Sequence, residues 1–144
     1  MKLKYTNTFN NYKDFLFYLI IGTISFILDV YTGRNKLYKN CKDTLYTLSL
    51  LYLHHLFVSF IYFGWLSKNR QISIIHILSI FLVLIVQFNN EYRCPSTEIV
   101  NKNCNINRSS FLRDFLYFTN IKKYNNLYYL YISISLYLSL KKIM

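Results

Sequence analysis

The 144-residue sequence contains no alanine, three glycines, one proline and three cysteines. So few cysteines argue against a small protein held together by disulfides. Acidic residues are also scarce, with six Asp and Glu against 17 Lys and Arg, and the formal net charge is +11. Hydrophobic residues make up 53% of the chain and aromatic residues 19%, which excludes the composition of a disordered protein. Phe, Tyr, Met, Ile, Asn and Lys supply 73 of the 144 residues, and their A/T-rich codons indicate that part of this bias reflects the genome.

The apolar residues are gathered in long stretches with few or no charges, and these stretches set the predicted architecture. A helix that crosses a bilayer needs about 20 mostly apolar residues. Four segments approach or reach this length, namely 15–31, 44–67, 71–90 and 124–140. The length of the chain suits one domain. The sequence therefore predicts an all-α, membrane-embedded four-helix bundle that occupies residues 1–144 as a single integral membrane domain.

The first of these segments has a second interpretation. Lys2, Lys4 and Lys13 followed by an apolar run are typical of a secretory signal peptide. The sequence after the run, from Asp29 to Gly33, is a poor match to the small-x-small pattern of a cleavage site. We therefore expect this segment to be retained as a membrane anchor.

A loop is predicted over 91–110, followed by a short amphipathic segment over 111–121. Phe111, Phe115 and Phe118 recur in this segment at helical spacing, and Ser110 suits the N-cap position. Eleven residues are too few to span a bilayer, so the pattern favours an interfacial helix. The alternative is a charged extension of the fourth span.

The signals for orientation disagree. With four spans, the side that carries both termini has seven Lys and Arg residues, and the opposite side has ten. This difference weakly places the second side in the cytosol. The same side carries all three cysteines, including Cys94 and Cys104, which we predict to form a disulfide, and the glycosylation sequon at Asn107. A disulfide requires an oxidising compartment and N-glycosylation requires the lumen, so we favour the orientation that places this side in the lumen.

The basic residues flank the predicted spans on both sides and do not form one clustered patch. A nucleic-acid-binding surface needs such a patch. Attraction to anionic lipid headgroups explains the charge better, at about 1 kcal/mol per basic residue near the surface. We therefore expect the lipid bilayer as the main partner, with homo-oligomers or other membrane proteins as further partners and no nucleic acid.

Histidines inside predicted spans are the first candidates for a functional site, because ionisable groups in a bilayer are costly. His55 lies on a polar stripe of the second span and His76 on a stripe of the third. Two facing stripes predict helix packing through hydrogen bonds. The alternative is a cofactor or ligand held between His55 and His76. His55 lies about 16 Å from the end of the second span and His76 about 8 Å from the start of the third, on the same side of the membrane. Axial ligands of one haem lie at similar heights, so this difference disfavours a shared haem.

Enzyme signatures are missing from the sequence. There is no G-x-S-x-G, no phosphate-binding glycine loop and no H-E-x-x-H. The cysteine spacing suits neither structural zinc nor a C-x-x-C redox motif. We therefore expect no catalytic residues, no metal site, no resident cofactor and no enzymatic activity.

Residues 50–104 carry a recognisable order of motifs: His54-His55, Gly64-Trp65, His76, Asn89-Asn90, Cys94-Pro95-Ser96-Thr97, Asn101 and Cys104. This order resembles uncharacterised multi-pass membrane proteins of giant (nucleocytoplasmic large DNA) viruses. It is also similar to a bacterial family of small four-helix membrane proteins in which a helix opens with His and ends in Cys-Pro-Leu-Thr, whereas Ser96 stands here in place of the Leu. The resemblance implies a viral protein in a host endomembrane or virion membrane. It assigns no residue a role.

Three functions follow as expectations. The first is a multi-pass integral membrane protein with a structural or membrane-remodelling role. The second is a redox or ligand-binding module that uses the histidines between the second and third spans. The third is a small ion channel.

Overall fold

The computed structural model describes residues 8–34, 38, 40–91, 93–106, 116 and 125–144. The described part contains five α-helices, which confirms the all-α prediction. These helices are α1 (Thr8–Asp29), α2 (Thr44–Phe63), α3 (Arg70–Asn89), α4 (Pro95–Asn103) and α5 (Asn125–Leu140). A π-helical turn, Val30–Arg34, follows α1, and a 3₁₀ turn, Gly64–Leu66, follows α2.

The helix starts are specified by local polar residues. The Asp43 carboxylate accepts a hydrogen bond from the Tyr46 amide at 2.9 Å and so caps α2. The Asn69 side chain accepts from the Gln71 amide at 2.8 Å and caps α3. Each cap satisfies an amide that the first helical turn leaves without a backbone partner.

Three segments are long and apolar enough to cross a membrane, namely Tyr12–Thr32, Thr44–Leu66 and Arg70–Asn89. They coincide with the first three predicted spans to within a few residues. The predicted fourth span corresponds to α5, whose 16 residues are fewer than those of the other three. The predicted interfacial helix over 111–121 lies outside the described residues apart from Leu116.

Helices α1 and α2 form a closely packed antiparallel pair. At their crossing, a Cβ atom on Gly22 would lie 2.9 Å from the Cα atom of Leu56, so only glycine fits at this point. Further along the contact, the Ser59 hydroxyl donates to the Tyr18 carbonyl at 2.9 Å, and the Thr23 and Tyr52 hydroxyls lie 3.2 Å apart. Hydroxyl groups of this kind join helices in a setting where water does not compete.

Helix α5 runs antiparallel to α3, and its last turn reaches the end of α2. A buried cluster of Ile61, Tyr62, Ile80, Leu116 and Ile132 fills the space between these elements. The end of the molecule at which α2 and α5 finish and α3 starts carries Ser67, Asn69 and Lys142, and we call it the turn end. The opposite end carries Cys41 and Cys104, and we call it the cysteine end.

The segment predicted as a loop over 91–110 contains a helix, so that prediction is wrong for Pro95–Asn103. Helix α4 starts with Pro95, which suits the first turn because it lacks an amide hydrogen, and it has Glu98 in its first turn and Lys102 in its last. It runs antiparallel along α2, from the level of His54 back to the level of Thr47. The helix is mostly polar, so apolar periodicity does not indicate it.

The predicted Cys94–Cys104 disulfide is also wrong, because Cys104 is bonded to Cys41 and Cys94 is a free thiol. Helix α4 separates Cys94 from Cys104, since nine residues at 1.5 Å each hold its two ends about 14 Å apart. Cys104 instead packs in a buried cluster with Tyr38, Leu51 and Val100, where Cys41 is adjacent.

Candidate functional site

Two consecutive histidines on α2 face different neighbouring helices. His54 faces the start of α4, and His55 faces α1. Both side chains are buried, with 7% and 1% of their surface exposed. Their rings meet edge to face with centroids 5.7 Å apart, so the two histidines form one polar region across the middle of the bundle.

His55 is held by α1. Its Nδ1 lies 2.9 Å from the Ser25 hydroxyl, and its Nε2 lies 3.3 Å from the Asp29 carboxylate. The Tyr38 hydroxyl donates to the same Asp29 oxygen at 2.9 Å. Asp29 as acceptor places a hydrogen on Nε2, and Nδ1 then accepts from Ser25.

This arrangement contains the residue types of a Ser-His-Asp triad, but it lacks access for a substrate. Ser25 is 3% exposed, His55 1% and Asp29 0%. The hydroxyl also meets Nδ1, whereas in a hydrolytic triad the nucleophile meets Nε2. The cluster therefore suits a buried polar joint between α1 and α2. The second carboxylate oxygen of Asp29 is buried and makes no hydrogen bond to the part of the chain that the structure describes.

His54 belongs to a second cluster with the first residues of α4. Its Nδ1 lies 2.8 Å from the Ser96 hydroxyl and 3.7 Å from the Cys94 sulfur. The Cys94 sulfur is itself 2.9 Å from the Ser96 oxygen. A thiol, a hydroxyl and an imidazole are thus in mutual contact. Because α2 starts at Thr44, this cluster lies about 15 Å along the helix from its first residue.

The His54 cluster forms one wall of a cavity of about 340 Å³ between α2, α3, α4 and α5. The rest of the lining is mostly apolar and includes Leu53, Phe57, Val83 and Val86. The cavity is therefore mainly apolar, with a polar group at the start of α4 formed by His54, Cys94 and Ser96; Gln87 of α3 also lines it. A volume near 300 Å³ is at the lower limit for small-molecule sites, which matches a ligand with a single narrow chain.

His76 lies in a separate cluster at the turn end. Its Nε2 lies 2.9 Å from the Ile61 carbonyl of α2, and its Nδ1 lies 2.8 Å from the Ser139 hydroxyl of α5. The ring rests directly on Gly64, where a Cβ atom would come within 2.2 Å of the His76 Cδ2 atom. His76 thus joins three helices.

The structure does not bring His55 and His76 together in one site. Both nitrogens of each ring already have a partner, and the partners belong to two different clusters. In the polar stripe of α2, Tyr52, His55 and Ser59 contact α1, which approaches closely at Gly22. Tyr62 of the same stripe packs instead with Ile80 of α3 and Ile132 of α5. The histidine that lines the cavity is His54. It does not belong to the polar stripe that contains His55, so the spacing argument did not select it.

Lys142 completes the turn end by donating to the carbonyls of Trp65 and Ser67, the latter at 2.6 Å. The Ser67 hydroxyl donates to the Asp14 carboxylate. Partial burial lowers the pKa of the Lys142 ammonium below its usual value, an effect that the charge of Asp14 opposes and that of Lys68 reinforces. Lys142, just after α5, thereby satisfies backbone carbonyls where α2 ends, and Asp14 of α1 binds the Ser67 side chain at the same place.

Within the described residues, His, Cys, Asp and Glu form no group of three that suits a metal ion. Comparison of the chain with protein-family models, with curated proteins and with solved structures gives no match.

Proposed function

We propose that the chain is a multi-pass integral membrane protein in which α1, α2, α3 and α5 cross the bilayer. The outward faces of the long helices support this proposal, because they carry many exposed large apolar side chains, among them Phe15, Ile20, Ile24, Leu53, Phe57, Leu78, Phe81, Leu82, Ile85 and Phe88. Patches of this extent are rare on soluble monomers. Helix α5 has Lys141 and Lys142 immediately after it, where their charges reach the interface.

We place the cysteine end in the lumen or outside the cell. The disulfide between Cys41 and Cys104 supports this orientation, since disulfides persist in oxidising compartments. A maleimide-PEG gel shift on detergent-solubilised protein tests the disulfide on which this orientation rests. Cys94 should be the only cysteine labelled without reductant, and two more should be labelled after reduction. Labelling of all three cysteines without reductant would contradict the proposal.

The function that the geometry supports best is binding of a single-chain, lipid-like molecule with one polar headgroup. The observation that carries this proposal is the mainly apolar cavity with the His54 and Ser96 hydrogen-bonding groups in its lining. A headgroup oxygen suits hydrogen bonding to these groups, and the hydrocarbon chain suits the apolar walls. The proposal assigns the protein a binding role and no enzymatic turnover.

Photoaffinity labelling in lipid vesicles tests this binding. The probe is a fatty alcohol analogue with a photoactivated diazirine and an alkyne tag. We expect crosslinks to residues that line the cavity and loss of these crosslinks in Val86→Trp, which fills it. The matched control is Leu78→Trp on the same helix, where the side chain is 63% exposed and lies outside the cavity lining. Equal labelling of both variants would refute the binding site.

A structural or membrane-remodelling role is the second candidate. The observation that favours it is the use of His55 and His76 as joints between helices, with both nitrogens of each ring engaged. A change in vesicle shape on reconstitution would support this role. Conductance in planar bilayers would support the ion channel. The viral origin and envelope location implied by the resemblance stand as proposals beside these functions.

A further inference from the structure

Cys94 is the one cysteine of the chain that carries a free thiol, and it belongs to the polar group in the lining of the cavity. Its sulfur contacts the His54 imidazole and the Ser96 hydroxyl. It also occupies the N-cap position of α4, a helix of nine residues, where the helix dipole favours negative charge. A nucleophile (Cys94), a base (His54) and a hydrogen-bond donor (Ser96) are thus in contact in the lining of the mainly apolar cavity.

We propose that Cys94 is a covalent capture site for lipid-derived α,β-unsaturated carbonyl compounds, whose hydrocarbon chains occupy the cavity. The inference rests on the proposed lipid-binding function and names the chemical class of ligand. The thiolate is the reactive form of cysteine, and His54 is placed to generate it by accepting the thiol proton. Ser96 is placed to donate a hydrogen bond to the carbonyl oxygen.

The reaction is a conjugate addition in which all atoms are retained. The sulfur forms a bond to the β-carbon, and the electron pair of the carbon–carbon double bond moves to give an enolate. The proton held by His54 then returns to the α-carbon, which restores the carbonyl group. The product is a thioether, and no oxidant, leaving group or second thiol takes part.

The surroundings of Cys94 favour this chemistry over disulfide exchange. The Cys41–Cys104 disulfide lies at the other end of α4, about 14 Å away along the helix. Unsaturated carbonyl lipids, by contrast, dissolve in the bilayer, onto which the cavity opens under the proposed topology. The thiol therefore meets electrophiles that arrive by way of the membrane before it meets a disulfide.

The experiment compares two alkyne-tagged enones with the same reactive head, one with a long alkyl chain and one with a short chain. The full-length protein in vesicles is treated with each, and the adducts are located by mass spectrometry. Rates are normalised to the concentration of each probe in the membrane. We expect adducts on Cys94, faster by about tenfold or more with the long chain. Cys94→Ser should abolish them.

Two variants separate the contributions of base and cavity. His54→Gln should slow both probes by about a hundredfold, the lower end of what a positioned base supplies. Val86→Trp should slow only the long-chain probe, and Leu78→Trp should slow neither. Retention of the Cys41–Cys104 disulfide in a gel-shift assay verifies that each variant is folded. If His54→Gln does not accumulate, the Val86→Trp comparison decides the question alone.

Equal rates for the two chain lengths would overturn the inference, because Cys94 would then be an ordinary exposed thiol. The absence of a Cys94 adduct would also overturn it. The photoaffinity result distinguishes these failures from failure of the binding function. Crosslinking in the cavity without a Cys94 adduct leaves lipid binding intact, whereas loss of both removes the cavity as a ligand site.

Discussion

Gly64 offers the sharpest test of the packing at the turn end, because the His76 ring occupies the space of its missing side chain. The backbone of Gly64 has φ −58° and ψ −26°, which any residue adopts, so the effect of Gly64→Ala is steric. The new methyl group would lie 2.2 Å from His76 Cδ2 and 2.7 Å from Cγ. The ring must therefore move away from its two hydrogen-bond partners.

The expected cost follows from these contacts. Overpacking of a buried site costs about 1–3 kcal/mol. The hydrogen bonds of His76 to Ile61 and Ser139 contribute about 0.6–2 kcal/mol each in a membrane protein. We expect Gly64→Ala to lower the free energy of unfolding by about 2–4 kcal/mol, measured by titration of detergent micelles with sodium dodecyl sulfate. Ser139→Ala removes one hydrogen bond without a clash and should cost about 1 kcal/mol.

A double-mutant cycle decides whether the clash is with His76. In a His76→Ala background the ring is gone, and Gly64→Ala should change stability by no more than about 0.5 kcal/mol. A coupling of about 2 kcal/mol or more between the two positions is therefore expected. If Gly64→Ala costs the same in both backgrounds, the ring does not rest on this glycine and the described packing is refuted.

Three further predictions concern the other end and the α1–α2 contact. Cys41→Ser should release the Cys104 thiol, seen as one additional maleimide-PEG shift, and cost about 4 kcal/mol because the disulfide spans 63 residues; an unchanged gel pattern would contradict the pairing. Gly22→Ala should cost about 1–3 kcal/mol in the same unfolding assay, since a Cβ atom there meets the α2 backbone, and a neutral effect would refute the close crossing. Asp29→Asn keeps the size of the side chain but leaves Tyr38 and His55 with a weaker acceptor, so we expect the free energy of unfolding to fall by about 1–3 kcal/mol. Tyr38→Phe should reproduce part of this loss. No loss in either variant would show that the cluster adds nothing to stability.

The long helices could be predicted from the sequence because a single signal, an uninterrupted apolar stretch, marks each of them. Thr44 to Ser67 and Gln71 to Asn90 have no charged residue, and the structure places helices there within a few residues. Helix α4 carries no such signal, because its nine residues are mainly polar. Only Pro95, Glu98 and Lys102, at positions that favour a helix, indicated it.

The site was harder to predict, since it depends on which helices are neighbours. A stripe of polar residues shows which face of a helix is polar, but not which helix it meets. Gly22 allows α1 to approach α2 closely beside His55. A single glycine in an apolar stretch does not predict which helix it will contact. The position of His54 beside Cys94 depends on α4 folding back along α2, and with α4 unrecognised neither the cluster nor the cavity could be predicted.

The end of α2 has a consequence for how the protein is made. Four carbonyls there, those of Ile61, Tyr62, Trp65 and Ser67, receive hydrogen bonds from His76 on α3, from Tyr131 on α5 and from Lys142 just after α5. The contacts between α1 and α2 need only those two helices. The end of α2, by contrast, needs Tyr131 and Lys142, which are made after it. A polar backbone without partners is costly in a bilayer. The carbonyls of Tyr62, Trp65 and Ser67 therefore lack the Tyr131 and Lys142 hydrogen bonds until α5 has been made and packs against the end of α2.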